Sequence, residues 1–193
     1  MTASAPTRRF VLADLLPGSL VRDVLLVGAG AGLTGLAAQV YIPLWPVPIT
    51  LQTLSVLLVG AALGPLRGTA SMLVYLLVGA AGVSWFADGH SGIEFPSFGY
   101  IVGFVIAAAI VGALARRGAD RNVIGTIAMM VLGNLVIYAI GVPWLMASLG
   151  IDFSTGFEFG VRPFLIGDGL KILLAAGLLP AAWRLMGSAD EAR

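Results

Sequence analysis

The sequence predicts an all-α integral membrane protein, a compact bundle of six transmembrane helices. Composition is the first observation, because 59% of the 193 residues are hydrophobic and 11% are charged, whereas a soluble domain carries about 25% charged residues. Apolar stretches recur along the chain, whose mean hydropathy is +0.98. The arginines also fall on one side once those stretches are threaded through a bilayer. A surface so poor in charge is typical of a protein surrounded by lipid.

The predicted spans are apolar stretches separated by helix-breaking residues. A helix needs roughly 20 apolar residues to cross the bilayer core. The spans are residues 24–42, 49–63, 68–83, 98–114, 123–149 and 163–185, of which the second is short. Prolines follow the first span and Gly64-Pro65 ends the second, since proline lacks an N–H and clashes with the preceding turn. Residues 150–162 are predicted to be a polar connection.

The chain is predicted to be one membrane domain over residues 1–193, with residues 1–20 as a cytoplasmic N-terminal segment rather than a cleaved signal peptide. The absence of cysteine excludes disulfides and thiol chemistry. A net charge of +1 argues against a nucleic-acid partner. No metal site is predicted.

The distribution of positive charge predicts the orientation. Arginine and lysine concentrate in the cytoplasmic loops of membrane proteins. With the N-terminus in the cytoplasm, the inner side holds most of the eleven Lys and Arg: Arg8, Arg9, Arg22, Arg67, Arg116, Arg117, Arg121, Arg184 and Arg193. Arg162 alone falls outside, and Lys171 lies within a span. The sequence therefore predicts that both termini are cytoplasmic.

Small residues at helical spacing mark the first span. Gly28 pairs with Gly32, and Ala31 pairs with Gly35, four residues apart in each case. Such pairs let helix backbones approach closely in lipid. The pattern fits either packing within the bundle or a docking face for a partner helix, and the residues alone do not decide between them.

Two opposite charges within the last span are the most informative residues. Asp168 and Lys171 are three residues apart and share one helix face. A charge in hydrocarbon is costly and normally faces a bundle interior or a cavity. The pair is either a self-satisfied structural ion pair or a binding site. As a site, it suits a small molecule with N–H donors and an acid group, because carboxylates accept N–H bonds and ammonium groups pair with anions.

Further candidates surround the predicted outer end of the bundle. Thr50 and Gln52 offer polar contacts in a loop stiffened by prolines. Tyr100, which opens the fourth span, and Phe86 are candidate pocket walls, although interfacial aromatics commonly serve as membrane anchors. His90 is interpreted as a solvated loop residue.

Several motifs together resemble one family. They are Pro46-Val47-Pro48-Ile49-Thr50-Leu51-Gln52-Thr53, Gly64-Pro65 with Arg67-Gly68, Gly99-Tyr100, Gly141-Val142-Pro143-Trp144 and Gly167-Asp168-Gly169-Leu170-Lys171. The chain thereby resembles the BioY family, the biotin-binding S components of energy-coupling factor (ECF) transporters. The likeness extends from about residue 24 to residue 171, and the proline-rich loop combined with the Gly-Asp-x-x-Lys element is its most specific part.

The resemblance implies a six-helix S-component fold and high-affinity uptake of biotin across the bacterial cytoplasmic membrane. It implies Asp168 and Lys171 as substrate ligands and a hydrophobic lining to which Tyr100 contributes. Gln52, Thr50 and Phe86 are predicted to complete the substrate-binding site. It also implies that Ala31 and Gly35 dock a transmembrane coupling subunit. Partner ATPase subunits are expected to hydrolyse ATP, because the chain lacks a GxxxxGK[ST] phosphate loop. No cofactor is expected; biotin is the transported ligand.

Other functions are weighed against this one. A self-sufficient biotin carrier and an S component for another vitamin share the predicted fold. An intramembrane enzyme needs a nucleophile with a base, or metal ligands, within the spans. With no cysteine and a single histidine in a loop, the sequence predicts that the protein is not an enzyme.

Overall fold

A computed structural model describes residues 10–16 and 18–191 of the chain. The α-helices of this part are α1 Leu20–Ala38, α2 Gln52–Ala80, α3 Phe98–Arg116, α4 Val123–Leu149, α5 Phe153–Gly160 and α6 Leu165–Glu191. Two short strands, β1 Tyr41–Ile42 and β2 Ile49–Thr50, pair antiparallel. Turns of 3₁₀ helix cover Leu12–Leu15, Ala87–Gly89, Ala119–Arg121 and Arg162–Phe164. The all-α prediction is confirmed.

Helix α2 reverses direction at Gly64. This residue has φ 81° and ψ 179°. The conformation is not helical, and glycine adopts it readily because glycine has no Cβ. The Gln52 amide nitrogen lies 2.7 Å from the Tyr75 hydroxyl, whereas a straight helix separates residues that far apart by roughly 35 Å. A Cβ on Gly68 lies 2.9 Å from the Gly60 Cα. Residues 52–63 and 65–80 therefore form two antiparallel arms, and the predicted break at Gly64-Pro65 is present.

Five helical stretches of the described chain are long and apolar enough to cross a membrane. Because one of them, α2, folds back on itself, they contain six helical segments. We call the end that carries β1 and β2 the hairpin end, and the end that carries Gly64 and the Ala119–Arg121 turn the turn end. Helix α1 begins and α6 finishes at the turn end.

Six of the nine arginines that were predicted to share one side lie at the turn end: Arg22, Arg67, Arg116, Arg117, Arg121 and Arg184. Arg162 lies at the hairpin end. Arg8, Arg9 and Arg193 lie outside the described residues. The described arginines are thus segregated to the two ends as the sequence predicts.

The predicted connection after the first span contains a strand pair. Helix α1 ends at Ala38 rather than at residue 42, and residues 49 and 50 belong to a strand rather than to a helix. The proline at position 43 explains this difference, because a residue before proline favours extended backbone. The predicted boundaries 24–42 and 49–63 are corrected accordingly.

The polar connection predicted for residues 150–162 contains helix α5 and a 3₁₀ turn. The Asp152 carboxylate caps α5 by accepting a hydrogen bond from the Thr155 backbone N–H at 3.0 Å. Aspartate at this position stabilises a helix start because it satisfies a free N–H. The helix packs against α4 at the hairpin end.

The N-terminal residues that the structure describes are packed against the turn end. Val11 and Ala13 are buried in the hydrophobic core, and the Asp14 carboxylate lies 2.8 Å from the Arg67 guanidinium. Residues 1–9 and 17 of the predicted cytoplasmic segment lie outside the described residues.

Helix α3 occupies the centre of the bundle between α2 and α4, while α1 packs on α2 and α6 packs mainly on α4. Small residues permit this packing. A Cβ on Gly60 lies 2.9 Å from the Ala108 carbonyl oxygen, and one on Gly103 lies 3.1 Å from the Ile137 backbone. These contacts bring α2, α3, α4 and α6 together at the hairpin end, where they enclose a cavity.

Candidate functional site

The cavity lies among α2, α3, α4 and α6 at the hairpin end, and about 50 Å³ of it admits the centre of a water-sized sphere. Its polar lining is Thr50, Gln52, Thr53, Ser97, Tyr100, Tyr138, Asp168 and Lys171. Its apolar lining is Val47, Pro48, Phe86, Ala87, Phe95, Ile101, Phe104, Ile137 and Phe164. The polar groups converge within a largely apolar chamber, as in many ligand sites.

Asp168 and Lys171 form an ion pair at the wall of this cavity. The Lys171 ammonium lies 3.0 Å from Oδ1 of Asp168, and the two side chains are 11% and 7% exposed, lysine first. Both lie in the first two turns of α6. Their i,i+3 spacing points them the same way, toward the bundle rather than toward lipid.

Thr53 connects the two charges from the neighbouring helix. Its hydroxyl accepts a hydrogen bond from the Lys171 ammonium at 2.9 Å and donates one to Oδ1 of Asp168 at 3.3 Å. Thr53 lies in the first turn of α2. It was not among the residues predicted to bind substrate, although it belongs to the proline-rich motif.

Tyr138 binds the second carboxylate oxygen of Asp168. Its hydroxyl donates a hydrogen bond to Oδ2 of Asp168 from the middle of α4. This residue was also missed among the predicted site residues. A signal was available, because a hydroxyl within a strongly apolar span needs a polar partner.

The cluster retains hydrogen-bonding capacity that faces the cavity. An ammonium has three N–H donors, and Lys171 uses two of them within the described part of the chain. A carboxylate has about four acceptor positions, and Asp168 uses three of them for Lys171, Thr53 and Tyr138. One N–H of Lys171 and one acceptor position on Oδ2 of Asp168 are thus unused among the described residues, and both side chains line the cavity.

All six residues predicted to bind substrate line the cavity: Asp168, Lys171, Tyr100, Gln52, Thr50 and Phe86. Their polar groups differ in how they are used. Thr50 donates to Oε1 of Gln52 at 3.1 Å, and the Gln52 amide donates to Tyr75. Tyr100 donates to the Gly160 carbonyl at 2.8 Å. The Tyr100 hydroxyl thus fastens α3 to α5, and its ring serves as cavity wall.

Aromatic rings form the rest of the wall. Tyr100, Tyr138 and Phe164 make a triangle with ring centroids 6.5 Å apart. Phe86, fully buried, contacts Phe95 with centroids 5.7 Å apart. Such rings supply apolar area and edge-to-face contacts, so the chamber suits a compact apolar ligand body beside the polar cluster.

The predicted docking residues are on the buried side of α1. Ala31 is 1% exposed, and Gly35 faces Trp85, whose ring carbon lies 3.2 Å from an added Cβ. Gly28 and Gly32, the other small pair, have nothing within 4 Å of an added Cβ. The docking role of Ala31 and Gly35 stays a prediction, while the open small-residue face belongs to Gly28 and Gly32.

Comparison with known proteins identifies the family. The sequence model of the BioY family matches residues 5–188. The chain belongs to the BioY family. A probable biotin transporter BioY of Pyrococcus horikoshii is 39% identical over 170 residues, covering 86% of this chain and 98% of the relative. The biotin transporter BioY of Thermotoga maritima is 33% identical over 159 residues, covering 81% and 92%.

A solved structure has the same fold. The crystal structure of the S-component for biotin from an ECF-type ABC transporter superposes with a TM-score of 0.76 at 22% sequence identity, covering 85% of this chain and 92% of that one. The predicted S-component fold is therefore confirmed for this BioY-family chain. The protein is a multi-pass membrane protein, and its family consists of transport components rather than enzymes.

Proposed function

We propose that this BioY-family protein binds biotin with high affinity and delivers it for uptake as the substrate-specificity subunit of an ECF-type importer. The observation that carries the proposal is the Asp168–Lys171 pair, which faces an aromatic cavity and keeps one donor and one acceptor unused. Relatives of this chain in the same family are named as biotin transporters, which supports biotin as the ligand.

The charge of the pair determines which end of biotin it meets. Asp168 and Lys171 together are neutral and almost fully buried. A carboxylate placed there adds an unbalanced charge in a site of low dielectric, which costs free energy. The ureido ring is neutral and carries N–H donors beside a C=O acceptor. Its C=O accepts a hydrogen bond from the remaining N–H of Lys171, and one ureido N–H donates to Oδ2 of Asp168.

The remainder of biotin then follows the cavity outward. The thioether ring packs against the wall formed by Tyr100, Tyr138 and Phe164, whose rings contact one another and line the cavity. The aliphatic chain passes Phe86 and Phe95 toward the mouth, and the carboxylate points to solvent. Each charge-assisted hydrogen bond contributes about 1.5–3 kcal/mol, and burial of the ring system adds about 25 cal/mol per Å² of apolar surface.

The arginine-rich turn end faces the cytoplasm in this proposal, which places the cavity mouth and both strands outside. Positive residues concentrate on the cytoplasmic side, and six described arginines lie at the turn end. The importer's ATPase subunits hydrolyse ATP, and a transmembrane coupling subunit connects them to this chain.

The open face of α1 is the proposed docking surface for that coupling subunit. Gly28 and Gly32 leave room for a close helix contact. Ala31 and Gly35 lie on the neighbouring, buried face of α1, which packs against the rest of the bundle.

Titration of the detergent-purified protein with biotin by calorimetry tests the proposed ligand. We expect a saturable, nanomolar interaction with biotin and none with other vitamins. Absence of biotin binding, or equal binding of an unrelated vitamin, contradicts the proposal. Liposomes that contain this chain with and without its partner subunits distinguish ATP-driven import from transport by a self-sufficient carrier.

Substitution on α1 tests the docking surface. Gly28→Leu and Gly32→Leu place bulk on an open face and are expected to abolish co-purification with the coupling subunit while biotin binding is retained. Gly177→Leu on α6 is the matched control, since an added Cβ there also has nothing within 4 Å. Loss of the coupling subunit in the control but not in the two α1 variants contradicts the assignment.

A further inference from the structure

A second cavity adjoins the first. It contains about 830 Å³ of empty space counted to its open side, and it shares Pro48, Phe95 and Ser97 with the binding chamber. Trp45 and Pro43, from the segment between β1 and β2, form its far wall. We call this space the vestibule. Because its walls are continuous with those of the chamber, a ligand chain that leaves the chamber at Phe95 enters the vestibule.

Asp88 and His90 are the charged or titratable residues among those that line the vestibule. The Asp88 carboxylate accepts a hydrogen bond from the Tyr41 hydroxyl at 3.0 Å, and it raises the pKa of that hydroxyl. The His90 ring lies 5.0 Å from the Phe95 ring, with its Nδ1 2.9 Å from the Ala87 carbonyl. The fixed charge at this position is therefore negative.

Neither cavity offers a free permanent cation in its described lining. Lys171 is the one lysine or arginine that lines the chamber, and it is already paired with Asp168. Arg162, the arginine of the hairpin end, lines neither cavity and lies 2.6 Å from the Glu158 carboxylate. With the ureido ring at the ion pair, the carboxylate of biotin emerges beside Asp88 with no positive partner. Asp88 is exposed to solvent, so it repels that carboxylate only weakly, and nothing in the described lining attracts it.

From this charge distribution we infer that the site accepts biotin amides, including biotin joined through an amide to lysine, as well as free biotin. The inference rests on the proposed function and on the ureido-inward orientation. An amide removes the negative charge that faces Asp88 and loses no ion pair. A lysine attached through its side-chain nitrogen carries an ammonium and a carboxylate on one carbon, further from the amide. Its ammonium has Asp88 as a partner, and Trp45 offers an aromatic face for its stem.

Competition binding on the full-length purified protein tests the inference, with labelled biotin displaced by biotin, biotinamide and biotinyl-lysine. We expect biotinamide to bind within about threefold of biotin and biotinyl-lysine to bind at least as well as biotinamide. Asp88→Asn is expected to leave biotinamide unchanged and to weaken biotinyl-lysine relative to it. A loss of twentyfold or more for biotinamide overturns the inference.

Two further measurements separate failure of this inference from failure of the proposed function. If biotin itself does not bind, the proposed function is wrong. If biotin binds and either His90→Gln or Arg162→Gln weakens biotin at least tenfold while biotinamide is unaffected, the vestibule recognises the carboxylate and the inference is overturned. Unchanged biotin affinity in both variants supports a carboxyl end that is accommodated and not recognised.

Discussion

Two aspartates are buried in the described part of this bundle, and their surroundings differ. Asp168 at the hairpin end has Lys171, Thr53 and Tyr138 as partners and borders a cavity. Asp120 at the turn end accepts a hydrogen bond from the Trp183 indole at 2.6 Å, while its Oδ1 atom has no hydrogen-bond partner among the described residues. The nearby Arg121 guanidinium lies over the Trp183 ring rather than on the carboxylate.

The contrast shows that a buried acid is insufficient to define a binding site. At the hairpin end a cation neutralises the carboxylate, and the unused hydrogen-bonding groups face empty space. At the turn end the carboxylate joins α6 to the turn between α3 and α4, and burial raises its pKa more than Trp183 and Arg121 lower it. The same residue type therefore lines a cavity at one end and joins helices at the other.

Removing either charge at the hairpin end has the largest expected effect. Asp168→Asn or Lys171→Ala is expected to weaken biotin binding at least tenfold, because each loses a charge-assisted bond to the ureido ring. Asp120→Asn is the matched control, and its biotin affinity is expected to stay within twofold of the parent protein. Calorimetry on detergent-purified variants measures both. Unchanged affinity in Asp168→Asn and Lys171→Ala excludes the proposed site.

The second-largest expected effect comes from two tyrosines that line the cavity, Tyr138 and Tyr100, because only one of their hydroxyls contacts Asp168. Tyr138→Phe removes the hydrogen bond to Oδ2 of Asp168 and is expected to weaken biotin about fivefold, equivalent to about 1 kcal/mol. Tyr100→Phe removes the hydroxyl that bonds to the Gly160 carbonyl but keeps the ring in the wall. We expect it to lower the unfolding temperature and leave biotin affinity unchanged. Weaker biotin binding in Tyr100→Phe, with unchanged binding in Tyr138→Phe, contradicts the roles of the two hydroxyls.

The smallest expected effect is a pH dependence at the turn end. The pKa of Asp120 lies above its usual value of 3.8 because of burial, so the folded state holds this proton more tightly than the unfolded state. The contribution of Asp120 to stability is therefore fully present below its unfolded-state pKa and is lost as pH rises through its folded-state pKa. In Asp120→Asn, the unfolding temperature is expected to decline less with rising pH, by a few degrees, since about 1 kcal/mol corresponds to about 2–4 °C for a chain of this size.

Thermal unfolding of parent and variant between pH 4 and pH 8 checks this expectation, with Asp152→Asn as a control at an exposed helix cap. If the parent protein and Asp120→Asn show parallel pH profiles, the carboxylate is not the source of the pH dependence.

Asp168 and Lys171 were predictable because charges within an apolar helix are conspicuous and their spacing fixes a shared face. Thr53 and Tyr138 were not predicted because their role depends on contacts with residues 115 and 30 positions away, which only packing brings together. The small pairs of α1 illustrate the same limit. Spacing places Gly28 with Gly32 and Ala31 with Gly35, but which pair is buried depends on how α1 meets α2.

The same distinction between local and long-range signals applies to the secondary structure. Proline and Gly64-Pro65 predicted where the chain turns, since their backbone preferences act locally. The two-residue strands and the short helix α5 contain too few residues for a periodic pattern, and their stability depends on the helix ends they cover.

The reversal at Gly64 also restricts how the chain can change in length. Both arms of α2 deliver side chains to the hairpin end, Thr53 from one and Tyr75 from the other. Adding a residue to one arm rotates everything beyond it by about 100° and shifts it by about 1.5 Å. Insertions and deletions between residues 52 and 80 are therefore tolerated only when a change in one arm is compensated by a change in the other.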